Sequence, residues 1–123
     1  MSARAPASIF LVEDEPMIRM LVVEMLEAIG YRVMAEAGDM TAALDLARTI
    51  ECDLAILDVN IDGHVISPVA ELLRTRQIPI IFATGYDSSS LPEIYRGLPA
   101  LQKPFQIEAL ERLVSAALRQ AQT

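Results

Sequence analysis

Short apolar runs that stop at a polar residue and give way to helical periodicity constrain the fold of this chain more than any other feature. Ile9-Phe10-Leu11-Val12 runs into Glu13-Asp14-Glu15, Leu54-Ala55-Ile56-Leu57 into Asp58, and Ile80-Ile81-Phe82-Ala83 into Thr84-Gly85. A briefer run from Ala100 ends at Lys103. Runs that are apolar at every position suit strands covered on both faces, and helical stretches between them make those strands parallel. Parallel strands place their carboxyl ends on one rim. That rim then holds acids, a hydroxyl and an ammonium.

The intervening segments predict the covering helices. Behind the first acids, Pro16 fits an opening helical position, and Ile18, Leu21, Val22, Met25, Leu26 and Ile29 share one side until Gly30 stops the turn. Arg19, Glu24 and Glu27 take the wet side. Strand two spans Arg32 to Glu36, and Asp39 caps a helix buried through Met40, Ala43, Leu44 and Ala47. After the third strand, residues 54 to 58, a loop with Asp62-Gly63 leads to a helix that starts at Ser67-Pro68 and finishes over Glu71 to Arg76. Strand four is Pro79 to Ala83. Three serines, Pro92, Gly97 and Pro99 leave room between Asp87 and Pro99 for only about two helical turns, so a short, mobile element is expected there. Strand five, Ala100 to Lys103, precedes a last helix with the stripe Ile107, Leu110, Leu113, Val114, Ala117 and Leu118. Right-handed crossovers assemble these units into an α/β fold, a doubly wound five-stranded parallel sheet with helices on both faces, flavodoxin-like. Its ligand site lies beyond the carboxyl ends of the strands, at the switch in strand order.

Length and charge narrow the function classes. At 123 residues a single domain, 1–123, is expected, with no output domain. The 53% apolar content is that of a packed globular protein, and no apolar run approaches the roughly 18 residues of a membrane span. Met1 to Ala7 lacks the pattern of a signal peptide, which makes the cytoplasm the expected compartment, with no membrane partner. A net charge of −7 argues against nucleic acid, whose binding depends on basic patches. Protein partners remain. Cys52, the only cysteine, is expected to be a half-buried, unreactive thiol, and His64 an exposed loop residue.

The chemistry lies in the rim. Lys103 is the only lysine, arginine supplying the other nine cationic side chains. Carboxylates of Glu13, Asp14 and Asp58 held within several ångströms repel one another and demand a compensating cation. Mg²⁺ meets that demand, because it prefers oxygen ligands from one or two carboxylates. Asp58 follows a wholly apolar strand, which leaves its side chain poised as a nucleophile. Attack on a phosphoryl donor gives an acyl phosphate whose added oxygens are neutralised by Mg²⁺, by Lys103 and by the Thr84 hydroxyl with nearby backbone N–H groups. Taken singly, each residue has an ordinary explanation. An acidic triplet before a helix is favourable dipole chemistry, a threonine after a strand is a turn residue, and a lysine before proline is solvated. Their joint order points to a site.

In Val12-Glu13-Asp14-Glu15-Pro16, Leu57-Asp58-Val59-Asn60, Ala83-Thr84-Gly85 and Lys103-Pro104-Phe105 the chain resembles the receiver domain of two-component response regulators, over nearly its whole length. The resemblance implies that Asp58 is the phosphoacceptor, that Asp14 and Asp58 ligate Mg²⁺, and that Glu13 reaches the metal directly or through water. It also implies ligation by the backbone carbonyl of Asn60, with Thr84 and Lys103 binding the phosphoryl group. The implied donor is a sensor histidine kinase or a histidine phosphotransfer protein. The implied role is signalling rather than enzymatic turnover: phosphorylation-dependent docking to a downstream protein target, or draining phosphoryl groups from a shared kinase.

Two departures bear on signalling. Ala100 stands where ordinary receivers place a switch Tyr or Phe, and Asp62 replaces the usual proline four residues after the phosphoacceptor. With Phe82-Ala83-Thr84-Gly85-Tyr86, these changes are similar to the atypical receivers of the Phe-Ala-Thr-Gly-x-Tyr pattern, although the tyrosine comes one residue earlier; Tyr86 is then a candidate signalling residue. Three rivals are weaker. A haloacid dehalogenase-like phosphatase needs a second aspartate where this chain has Asn60, a flavodoxin-like nucleotide binder would be repelled by Glu13-Asp14-Glu15, and an unphosphorylated binding scaffold has no need of an intact site.

Overall fold

A computed structural model describes residues 6–85 and 92–121. The chain runs through β1 (Ser8–Val12), α1 (Pro16–Ala28), β2 (Arg32–Ala37), α2 (Met40–Thr49), β3 (Leu54–Asp58), β4 (Asn60–Ile61), β5 (His64–Val65), α3 (Ser67–Thr75), β6 (Ile80–Thr84), β7 (Ala100–Gln102) and α4 (Ile107–Ala121). Five strands form one parallel sheet in the order β2-β1-β3-β6-β7. This is the expected doubly wound fold.

Alternation along the strands builds two cores. Every residue of β1, β3 and β6 is buried, and successive side chains point to opposite faces. Phe10, Val12, Ala55, Leu57 and Phe82 pack with Ala43 and Ala47 of α2 and Val69, Ala70 and Leu73 of α3. Ile9, Leu11, Leu54, Ile56 and Ile81 pack on the other face with Val22 and Leu26 of α1 and Leu110, Val114 and Ala117 of α4. The edge strand β2 is largely exposed. Local chemistry sets the helix ends. The Asp39 carboxylate accepts the Ala42 N–H at 2.8 Å and caps α2, and Gly30 leaves α1 at φ +95°, a conformation that costs glycine little.

The structure corrects the sequence-based expectations in three places. Leu21 is 52% exposed beside Met17 and Met20. A helix lying on a sheet buries a narrow stripe, here Val22 and Leu26, and Leu21 sits about 100° round the helix from Val22. Arg19 leaves the wet side: its side chain is only 24% exposed and bonds inward. The expected loop after β3 is a two-stranded antiparallel ribbon, β4 with β5, closed by Asp62 and Gly63 at φ +50° and +81°. Asp-Gly is the pair that such a two-residue turn selects.

Strand ends shift by a residue, so that β6 includes Thr84, β2 includes Ala37, and Lys103 follows β7. Between β6 and β7, Glu93–Tyr95 forms a single 3-10 turn. Residues 86–91, with Tyr86 and the serines of the expected mobile element, lie outside the described residues. Burial pushes the Cys52 thiol up to about 11, so it stays protonated at neutral pH. Among the described residues, no helix is long and apolar enough to cross a membrane.

The narrow stripe on α1 gives a direct test. Leu26→Ala should cost about 2–5 kcal/mol in urea unfolding, whereas Leu21→Ala should fall within about 0.5 kcal/mol of the parent. Equal losses would contradict the orientation of α1.

Candidate functional site

The strand order reverses between β1 and β3, which are neighbours with Val12 opposite Leu57. One residue beyond those partners come Glu13 and Asp58, so the sheet itself delivers two carboxylates side by side, with Asp14 next to them. One oxygen from each of Glu13, Asp14 and Asp58 lies within 4.8 Å of the others. Glu13 and Asp58 are 3% and 7% exposed; Asp14 is half-buried.

Lys103 completes the cluster from the far side. Its backbone N–H donates to the Thr84 carbonyl at 2.7 Å, which seats the residue just past β7. Its Nζ then donates to Glu13 Oε1 at 2.6 Å and Asp58 Oδ2 at 2.8 Å. Each carboxylate gives its other oxygen to a backbone N–H, Glu15 to Glu13 Oε2 at 3.1 Å and Asn60 to Asp58 Oδ1 at 3.2 Å. Asp14 Oδ2 accepts the Asp62 N–H at 2.8 Å, which fixes the tip of the β4–β5 ribbon against the site. Thr84, 3% exposed, ends β6 beside Lys103.

Burial and pairing act against each other here. Burial raises the Glu13 pKa, with the hydrogen bonds from Lys103 and Glu15 opposing it only in part. For Lys103, burial works to lower the pKa, but the bonds to Asp58 and Glu13 outweigh it and the net direction is up. The ammonium therefore stays charged at neutral pH. Three carboxylates and one ammonium leave a formal charge of minus two, and all the side-chain donors are hard oxygens. That combination suits a small divalent cation, and Mg²⁺ fits it.

Of the residues singled out by sequence, Glu13, Asp14, Asp58 and Lys103 converge, and Thr84 is tied to Lys103 through its carbonyl. Asn60 is exposed on β4 and enters through its backbone N–H to Asp58. His64 is exposed on β5, outside the acidic cluster. Two residues escaped the sequence. Arg19, placed on the wet side, donates Nη1 to the Glu13 carbonyl at 2.7 Å. Tyr95 is 1% exposed, stacks on Phe82 with ring centroids 4.9 Å apart, and donates its hydroxyl to Glu71 at 2.6 Å. The only signal for Tyr95 is an aromatic residue between two prolines in a segment without helical periodicity.

Comparison with known proteins points the same way. Residues 9–115 match the family described as the response regulator receiver domain. Transcriptional regulatory protein PdtaR of Mycobacterium tuberculosis is 36% identical over 122 residues, which cover 94% of this chain and 58% of that protein. The solution structure of SdrG from Sphingomonas melonis Fr1 aligns with a TM-score of 0.83 at 37% identity, covering 94% of this chain and 99% of that one. The crystal structure of the response regulator PhyR from Brucella abortus aligns with a TM-score of 0.82 at 30% identity, covering 95% of this chain and 49% of that one. The chain thus spans about half the length of the curated relatives it matches, 58% of PdtaR and 46% of PhyR from Methylorubrum extorquens.

Lys103→Met would strip the cation from two buried carboxylates. The variant should lose about 3–5 kcal/mol in urea unfolding without divalent metal. Parent-like stability would mean that the ammonium does not offset Glu13 and Asp58.

Proposed function

Because the chain belongs to the response regulator receiver family, we propose that it accepts a phosphoryl group on Asp58 in a Mg²⁺-dependent reaction and relays that state to a protein partner. The observation that carries this reading is Asp58 itself, a nearly buried carboxylate at a strand end, 2.8 Å from the lone lysine and within reach of two further acids. Glu13, Asp14, Asp58 and the Asn60 carbonyl would hold the metal. Bound Mg²⁺ would supply positive charge to the phosphoryl oxygens.

The donor is a phosphohistidine of a sensor kinase or histidine phosphotransfer protein. An Asp58 oxygen attacks phosphorus, the P–O bond forms as the P–N bond breaks, and the electron pair leaves on the imidazole nitrogen. Both Asp58 oxygens are engaged in the resting protein, by Lys103 and by the Asn60 N–H. Each oxygen keeps a further lone pair for attack, and Lys103, already bound to one of them, is placed to follow the charge onto the phosphoryl group. The Thr84 hydroxyl donates to another phosphoryl oxygen.

Phe82-Ala83-Thr84-Gly85-Tyr86 and the missing aromatic at Ala100 support a place among the atypical Phe-Ala-Thr-Gly-x-Tyr receivers, with output through docking to a downstream target or as a phosphoryl sink. A phosphatase of the haloacid dehalogenase type has less support. It needs a general acid two residues after the nucleophile, where Asn60 serves Asp58 through its backbone instead.

Intact-mass measurement after treatment with a small-molecule acyl phosphate and Mg²⁺ should show one added phosphoryl group, lost in Asp58→Asn. Phosphorylation of that variant at the parental rate would overturn the assignment. Mg²⁺ alone should raise the melting temperature, because it binds the native cluster and not the unfolded chain. Asp14→Asn should blunt that rise, and a melting temperature indifferent to Mg²⁺ in both proteins would remove the metal site.

A further inference from the structure

Glu13 and Asp14 are joined by a peptide plane that no strand ladder holds, since β1 ends at Val12. The Glu13 N–H still donates to the Ala37 carbonyl at 3.0 Å. Beyond that bond the chain turns away from the sheet into α1, and the direction of the next peptide decides where Asp14 stands. That peptide is gripped by one side chain. Arg19, one turn into α1, donates Nη1 to the Glu13 carbonyl at 2.7 Å and sets Nε 3.3 Å from Glu36 Oε1 on β2. The guanidinium spans the ends of β1 and β2 while its own backbone belongs to α1.

Gly38 makes room for this arrangement. A Cβ built on Gly38 would stand 2.6 Å from Arg19 Nη1 and 3.4 Å from Cζ. The glycine is not called for by its backbone, since its φ is not in the left-handed region. What its missing side chain leaves is a slot occupied by the guanidinium. The flat, forked shape of arginine fits a slot with one acceptor on each side better than a lysine ammonium does.

We propose that Arg19 is a positioning residue for the acidic pair: seated in the Gly38 slot and braced by Glu36, it fixes the Glu13–Asp14 peptide so that both carboxylates face Asp58 and converge on one divalent cation. The assignment rests on the metal-dependent function above. Without the guanidinium the Glu13 carbonyl loses its donor. The peptide is then left to the bonds at its flanks, Asp14 to the Asp62 N–H and the Glu13 carboxylate to Lys103 and Glu15, so the two carboxylates are set less tightly toward Asp58. Arg19 offers no ligand oxygen of its own; it acts through the Glu13 carbonyl.

The test is Mg²⁺ affinity, measured by calorimetric titration without any phosphoryl donor, in the parent, Arg19→Gln, Gly38→Ala and the double variant. Each single change should weaken Mg²⁺ about tenfold, the low end for residues that orient metal ligands. The double variant should be no weaker than either single one, because both remove the same grip. Arg19→Lys should recover only part of the affinity. A purely structural role would instead lower the urea midpoint and leave the affinity of the folded protein unchanged, which would overturn the proposal, as would additive losses in the double variant. Gly38→Ala keeps the arginine and serves if Arg19→Gln fails to fold. If the parent binds Mg²⁺ and is phosphorylated on Asp58 while the variants bind as well as it does, this inference alone falls; if the parent binds no Mg²⁺, the proposed function falls with it.

Discussion

One ammonium holding two buried carboxylates is the interaction on which the rest of the site depends. Withdrawing Glu13, Asp58 and Lys103 from water costs several kcal/mol per ion, and mutual attraction repays that only when the remaining hydrogen-bonding positions are also filled. Here they are. Each carboxylate gives one oxygen to Lys103 and the other to a backbone N–H, from Glu15 or from Asn60. The backbone donors come from the first residues after β1 and β3, so the path of the chain leaving the sheet is written into the electrostatics of the site. Lys103 settles the cluster without satisfying it, since two negative charges remain uncompensated.

That geometry follows from sheet order. With β1 and β3 adjacent and the chain winding outward on both sides, a crevice forms at their carboxyl ends. Three fully buried strands, β1, β3 and β6, hold their polar ends rigidly against two separate cores. Lys103 arrives from the edge strand β7, placed by its N–H to Thr84. The acids are therefore fixed by fully buried central strands and the cation by the sheet's edge. A cation seated on an edge strand with a long flexible stem is the member of the cluster best able to move when charge is added.

Much of this was legible in the sequence because it depends on period and punctuation. Uniform apolar runs gave the buried strands, Pro16, Gly30 and Asp39 marked helix ends, and the residues ending each run were those that converge. What was not legible depends on distance across the fold. Nothing in the spacing of Leu21 distinguishes it from Leu26; only the position of α1 on the sheet does. The Asp62-Gly63 pair carried a hairpin signal, but β4 and β5 are two residues each, too short for alternation to register. Arg19 sits where a helix pattern assigns solvent, and its inward turn requires Gly38, nineteen positions later, to lack a side chain.

Tyr95 shows how the same core can be completed from a different part of the chain. In the β6–β7 ladder Phe82 lies opposite Ala100, a methyl where ordinary receivers carry an aromatic ring. The ring that packs on Phe82 comes instead from the 3-10 turn at Glu93–Tyr95, and Ala100 lies against the cluster both rings belong to. The hydroxyl of Tyr95 is bound to Glu71 on α3, and the Arg74 guanidinium lies over the ring, 5.7 Å from its centroid. An aromatic on β7 would sit on the edge strand itself, whereas Tyr95 is pinned to α3 by a hydrogen bond and a cation above its face. Thr84 lies two residues along β6 from Phe82, so the end of that strand beside the acidic cluster is joined through packed rings to α3 as well as through its ladder to β7. With a methyl at position 100, the aromatic contact on Phe82 is made by the 3-10 turn and anchored on α3.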